Sequence, residues 1–350
     1  MVIFFDAPVE PDDLTTFTRE VPVPQELQLL AAFGRQDLET NTVDFAEIVR
    51  TNRTARFRSF DGRLHVSERD VGSEKRVNLL PLSTSLSMGE YERLQLEFAR
   101  LGGSNQQALA RAIYNEGEQL TREVQNRLEM AWGDVLSDGK LTINENGYAG
   151  EADFGVPANH KVTIATENRK WNSANLATML PLTDLQTWSD AYYATNGSRP
   201  AVARTSLTRL RAVQRSAEVI AAVHGATSGK TRVPITELND LLRDEDLPVF
   251  GPPLDGSFDV DGVTSRVMAD DLVVLLPENL ADLGYTAWGV SATALELVNS
   301  DRSDLSFEEA PGIVGVIEKI GPPYRQFTYV DAVAMPILSN ARRLFIADVA

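Results

Sequence analysis

Residues 104–139 read SNQQALARAIYNEGEQLTREVQNRLEMAWGDVLSDG. Apolar side chains recur there at Leu109, Ile113, Leu120, Val124, Leu128, Trp132 and Val135, mostly three, four or seven positions apart. That spacing is one stripe of a 3.6-residue helix. Ser104 offers an N-cap, and Ser137-Asp138-Gly139 a stop. The pattern predicts a helix over about 104–135, spanning roughly 45–50 Å at ~1.5 Å per residue. An ordinary amphipathic helix has the same stripe, but few are this long.

Toward the C-terminus the pattern mixes short strands and helices. KLTINENG (140–147) and KVTIATE (161–167) read as strands around a Gly-rich turn, and helices are expected over 175–193, 206–223 and 235–245. PAVARTS (200–206) reads as a short buried strand. VFGPPLDGSFDVDGV (249–263) has the Gly/Pro content of a surface loop. DLVVLLPE (271–278) is the best buried-strand candidate, and RQFTYVDAVAMPIL and RRLFIADV are strands parted by Ser339-Asn340. The fold class expected is α+β.

Toward the N-terminus the character changes. Residues 53–81 carry seven basic side chains (Arg53, Arg56, Arg58, Arg63, Arg69, Lys75, Arg76) against four acids, with turns at Asp61-Gly62 and Gly72. Few apolar residues anchor them, so they read as a two-stranded ribbon, which is marginal in water without a partner surface. Residues 1–52 read as an arm. Pro8, Pro11, Pro22 and Pro24 favour extended chain. The clusters at Leu27, Leu29, Leu30 and Phe33 and at Val43, Phe45, Ile48 and Val49 are too sparse for a core of their own. The first eighty or so positions are therefore expected to lie across sibling molecules.

Composition narrows the function. The 350 residues are 43% hydrophobic, enough to bury a core, and no run reaches the roughly 18 apolar residues of a membrane span. The opening MVIFFDAPVEPDDL lacks the pattern of a secretory signal, so a soluble cytoplasmic protein is expected. With no cysteine and only His65, His160 and His224, thiolate chemistry and His-rich metal sites are excluded. The net charge of −17 opposes phosphate-backbone clamping, yet it suits a wall that packed DNA should not stick to.

Apparent active-site motifs fail on spacing. GATSGKT (225–231) ends like a phosphate loop, but Gly225 precedes Gly229 by four positions where five are needed, and a helix precedes it. NENG (144–147) and DVDG (259–262) lack the ligands of a calcium loop and read as turns. Carboxylate pairs such as Asp12-Asp13 and Asp270-Asp271 are expected among fifty acids. No catalytic, cofactor or metal residue is assigned, and the chain is not read as an enzyme.

The order of parts resembles the major capsid protein of tailed bacteriophages, the Hong Kong 97-type fold, and within it the lambda-type branch (phage major capsid protein E). The long helix running into LSDGKLTINENG and ADFGVP is similar to that family's spine helix and following strand pair. SRPAVARTSLTRLRAV (198–213) resembles the strand-then-helix opening of its central sheet. The ending PPYRQFTYVDAVAMPILSNARRLFIADVA (322–350) resembles its terminal strands most specifically. The resemblance implies an N-arm (1–52), an E-loop (53–82), a P-domain (83–165 and 306–340) and an A-domain (166–305), with a final strand 341–350 returning to the body. It further implies self-assembly into hexamers and pentamers of an icosahedral head, within the host cytoplasm, around double-stranded DNA. Scaffolding and portal proteins would be partners, and a decoration protein a further one. An arm starting close to Met1 implies separate scaffolding. Arg56, Arg58, Arg63, Arg69, Lys75 and Arg76 are the expected inter-subunit contacts. An encapsulin-like shell, a carboxylate hydrolase and a tail-tube or baseplate protein are the alternatives.

Overall fold

The structure is a computed structural model that describes residues 3–47, 73–89, 106–145, 148–260, 262–321 and 325–350. The ribbon tip, 48–72, lies outside the described residues.

Among the described residues, two five-stranded sheets build the body, beside three two-stranded pairs. In the first, Arg35–Asp37 runs parallel to Tyr285–Gly289, which pairs antiparallel with Arg325–Ile337, and Val314–Ile320 pairs with the same long strand. Pro81–Met88 also pairs with Arg325–Ile337, from Gln326↔Met88 to Val333↔Pro81. The second sheet has the order Lys161–Thr163, Phe345–Asp348, Leu272–Leu276, Val202–Thr205, Val249–Phe250.

Leu272–Leu276 explains its own sequence. Val274 and Leu276 face one core with Ile346, while Val273 and Leu275 face another with Phe345 and Ala347. Both faces are covered, so the run is continuously apolar instead of alternating. The second core is closed by Pro181–Asn196, Ala217–His224 and Ile235–Asp244, whose Leu185, Trp188, Val219, Leu238 and Leu242 pack into it.

The long helix runs from Gln106 to Asp138. Its stripe is split between three clusters. Ile113 packs with Leu14 and Ile317; Leu120, Val124 and Leu128 cover Val330, Ala332 and Ala334 of the long strand; Trp132 and Val135 enter the largest core. Trp132 donates its indole N–H to Thr286 Oγ1 at 2.9 Å and lies flat against Phe33, ring centres 3.6 Å apart. At Gly133 an added Cβ would sit 1.8 Å from the Val267 carbonyl oxygen, so only glycine lets that loop meet the helix.

The N-terminal segment departs from the expected extended arm. Residues Pro11–Glu20 form a helix with Pro11 in its first turn, where the missing N–H costs nothing because that donor has no helical partner anyway. Leu14 is fully buried between the long helix and Val314–Ile320, flanked by Gly117 and Gly315. Leu27, Leu29, Leu30 and Phe33 are buried in the body's own clusters. Thus residues up to about 43 pack on their own subunit, and the expectation that they must lie on sibling molecules fails for them. The sequence pattern misled because the buried apolar residues there complete cores built by distant segments.

Smaller differences have equally local causes. The helix expected over 206–223 is two, Leu207–Val213 and Ala217–His224, because Ser206 and Ser216 each cap an N-terminus by accepting from Arg209 N and Val219 N. Lys140–Glu145 pairs with Tyr148–Asp153, whereas Lys161–Thr163 joins the second sheet. The expected loop 249–263 contains most of a hairpin, Ser257–Val260 with Val263–Arg266.

Candidate assembly surface

The ribbon has a described stem. Thr42–Glu47 pairs antiparallel with Ser73–Asn78, with Asp44 opposite Arg76 and Phe45 opposite Lys75. The outgoing strand therefore begins inside the stretch read as arm. Val43 and Leu79 are buried in the large core, with Val77 packed against it. Asn41 fixes the root: its Nδ2 donates to Val290 O and its Oδ1 accepts from Val290 N, both at 2.8 Å. Gly289 makes room for it, since a Cβ there would lie 2.3 Å from Asn41 Oδ1. Leu79 N donates to Asn41 O at 2.8 Å, and the chain then enters Pro81–Met88. Both strands of the stem are thus anchored to the body.

Of the predicted contact residues, Lys75 and Arg76 sit on this stem, Arg76 exposed. Arg56, Arg58, Arg63 and Arg69 fall in 48–72, outside the described residues. Sequence reading missed Asn41, whose only signal was a turn-forming residue beside the ribbon.

Buried charges tie segments together. Glu129, 3% exposed on the long helix, accepts from Leu29 N at 3.0 Å and Leu30 N at 2.6 Å. It faces Arg204, which donates to Pro252 O and to Gln28 Oε1. Burial raises the Glu129 pKa above the usual carboxylate range, opposed by those amides and by Arg204, and lowers that of Arg204. Asp184 accepts from Arg169 and from Trp171 Nε1, and burial again raises it. His160 is sealed beside Tyr192 and Phe345 with Nδ1 facing Leu344 O at 3.0 Å, and burial lowers its pKa. These groups are braces between elements, with donors and acceptors drawn largely from backbone.

The suspected motifs stay peripheral. GATSGKT follows the helix Ala217–His224 and is exposed, with Gly225 and Gly229 at positive φ facing open space. At DVDG, Asp259 Oδ1 accepts from Gly262 N in the hairpin turn. Among the described residues, no group of three or more His, Asp or Glu could hold a metal ion, and no helix is long and apolar enough to cross a membrane.

A sequence profile of the phage major capsid protein E family matches residues 10–294. No curated protein matches the sequence. A crystal structure described as a prophage capsid protein of Escherichia coli CFT073 is similar at 13% identity, covering 95% of this chain and 96% of its own, with a TM-score of 0.59. A phage-related protein of Bordetella bronchiseptica RB50 is similar at 15% identity and TM-score 0.50, covering 96% of each chain. At such identities these two structures speak to the fold alone.

Proposed function

The chain belongs to the phage major capsid protein E family, with the Hong Kong 97-type α+β fold of a major capsid protein that forms the phage head shell, and from that premise we propose how its copies join. Hexamers and pentamers close an icosahedral head around double-stranded DNA. Residues 83–165 with 306–340 and 166–305 serve as P-domain and A-domain, 53–82 as E-loop, and 1–52 as an N-arm whose first 43 or so residues pack on their own subunit. The role is structural and non-enzymatic. Portal and scaffolding proteins, and a decoration protein on the outside, are its partners during assembly in the host cytoplasm. The charge of −17 keeps the wall from adhering to packed DNA.

One observation carries this reading: a stem anchored to the body on both strands that leads into the chain's basic stretch. Residues 48–72 hold six arginines against three acids, in a chain otherwise strongly acidic. Arg56, Arg58, Arg63, Arg69, Lys75 and Arg76 meet acidic surface on an adjacent subunit. Single exposed ion pairs contribute only about 0–1 kcal/mol each, so they set register while apolar contacts add affinity. Negative-stain micrographs of the expressed chain should show closed shells. Arg56→Glu with Arg58→Glu should abolish them, and normal particle yield from that variant would refute the role given to the ribbon. Nuclease-protected DNA, not packaged protein, is the expected content of heads from infected cells.

A further inference from the structure

Two adjoining concavities lie along the first helix and share the Arg19 side chain. The first, about 460 Å³, is lined by Asp12, Glu20, Asp304 and Glu309. Arg19 is the cation between them, and it is spent on carbonyls: Nε donates to Ile313 O at 2.8 Å and Nη1 to Glu309 O at 2.6 Å. Asp12 accepts from Ser303 Oγ and Asp304 N. Glu20 and Asp304 are exposed and make no ion pair among the described residues.

The second concavity, about 380 Å³, has Val21, Val23, Leu30, Phe33 and Trp288 in its wall, with Arg35 lying over the Trp288 ring and paired to Asp37. Val23 is 41% exposed. Gln125 also lines this space and is only 4% exposed. Its Nε2 donates to Val21 O at 3.3 Å, but its Oε1 is buried with no partner.

We propose that this double groove receives residues 53–60, RTARFRSF, of a second copy of the chain. The proposal rests on the reading above and names its receiving site. The segment supplies what the groove lacks: Arg53, Arg56 and Arg58 for the exposed carboxylates of Glu20 and Asp304, and Phe57 or Phe60 for the apolar hollow. In a chain of net charge −17, this stretch is basic and interleaved with aromatics. Opposite charge at the rim fixes orientation, while an aromatic anchor in a desolvated pocket carries the affinity.

The test is a charge exchange. Glu20→Arg with Glu309→Arg should cut shell yield on the order of tenfold through like-charge repulsion, with circular dichroism of unassembled subunits unchanged. Adding Arg56→Glu and Arg58→Glu to the same chain should restore assembly. Groove reversal without effect, or no rescue, overturns the docking site. A second measurement uses the absence of cysteine. A Val23→Cys, Ser59→Cys chain, treated as shells with a bismaleimide, should give a ladder of covalent oligomers on a denaturing gel; monomer bands alone overturn docking in trans. If the unaltered chain forms no shells at all, the capsid-assembly reading fails. If shells form but neither result appears, only the groove assignment fails.

Discussion

Glu129 shows how one carboxylate can hold two distant segments and make stability depend on pH. Its ionised form takes the amides of Leu29 and Leu30, yet burial is the dominant influence and raises its pKa above the ordinary glutamate range. The folded state therefore binds the proton more tightly than the unfolded chain. Its contribution is fully present below the ordinary glutamate value and is lost as pH rises through the raised folded value. Asp134, Asp184 and Glu318 are shifted the same way, each mainly by burial. Glu129→Gln, uncharged throughout, should fare better relative to the parent at pH 7 than at pH 4.5 in thermal melts of unassembled subunits. A gap independent of pH would contradict this account. Glu129→Ala leaves the two amides without an acceptor and should cost about 3 kcal/mol at neutral pH.

At the scale of elements, the long helix is held by shape as much as by its apolar stripe. Alanine is a better helix former than glycine by about 1 kcal/mol, yet Gly133→Ala places a methyl 1.8 Å from the Val267 carbonyl. The variant should be destabilised by about 1–3 kcal/mol, read as a lower denaturant midpoint; a stabilised variant would mean that the loop yields freely. Trp132→Ala loses the stack on Phe33 and the bond to Thr286, and should cost about 3–5 kcal/mol. The ribbon root gives a sharper contrast. Asn41→Ala removes both Val290 bonds, so it should lower shell yield more than it lowers the melting temperature of the subunit. Equal yields from Asn41→Ala and the parent would show that the root does not position the ribbon.

At the scale of the whole molecule, the N-terminal segment belongs to the body. Removing residues 1–34 would strip Leu14, Leu27, Leu29, Leu30 and Phe33 from three clusters and take away the partners of Glu129. The truncated chain should aggregate or lose its cooperative melt, and a well-folded truncated monomer would contradict this packing. Of the first eighty positions, those up to about 43 are committed to their own body, which narrows where shell contacts are to be sought.

Elements whose cause lies within a few residues could be read from the sequence. Leu109 to Val135 repeats at the helical period, Leu272–Leu276 is apolar on both faces, Ser206 caps a helix, and the end of the chain carries the family's strand pattern. The basic character of 53–76 was legible too, because charge is additive along a chain. What the sequence could not decide depended on residues meeting across hundreds of positions. Leu14 looks like a stray apolar residue until Gly117 and Gly315 make a slot for it, and Asn41 like a loop residue until Val290 faces it. Likewise Gln125, on a helix read in full, faces a hollow that neither its own helix nor its neighbours in sequence create. Burial and hydrogen-bond satisfaction are properties of surfaces brought together, and only the tertiary structure determines which surfaces those are.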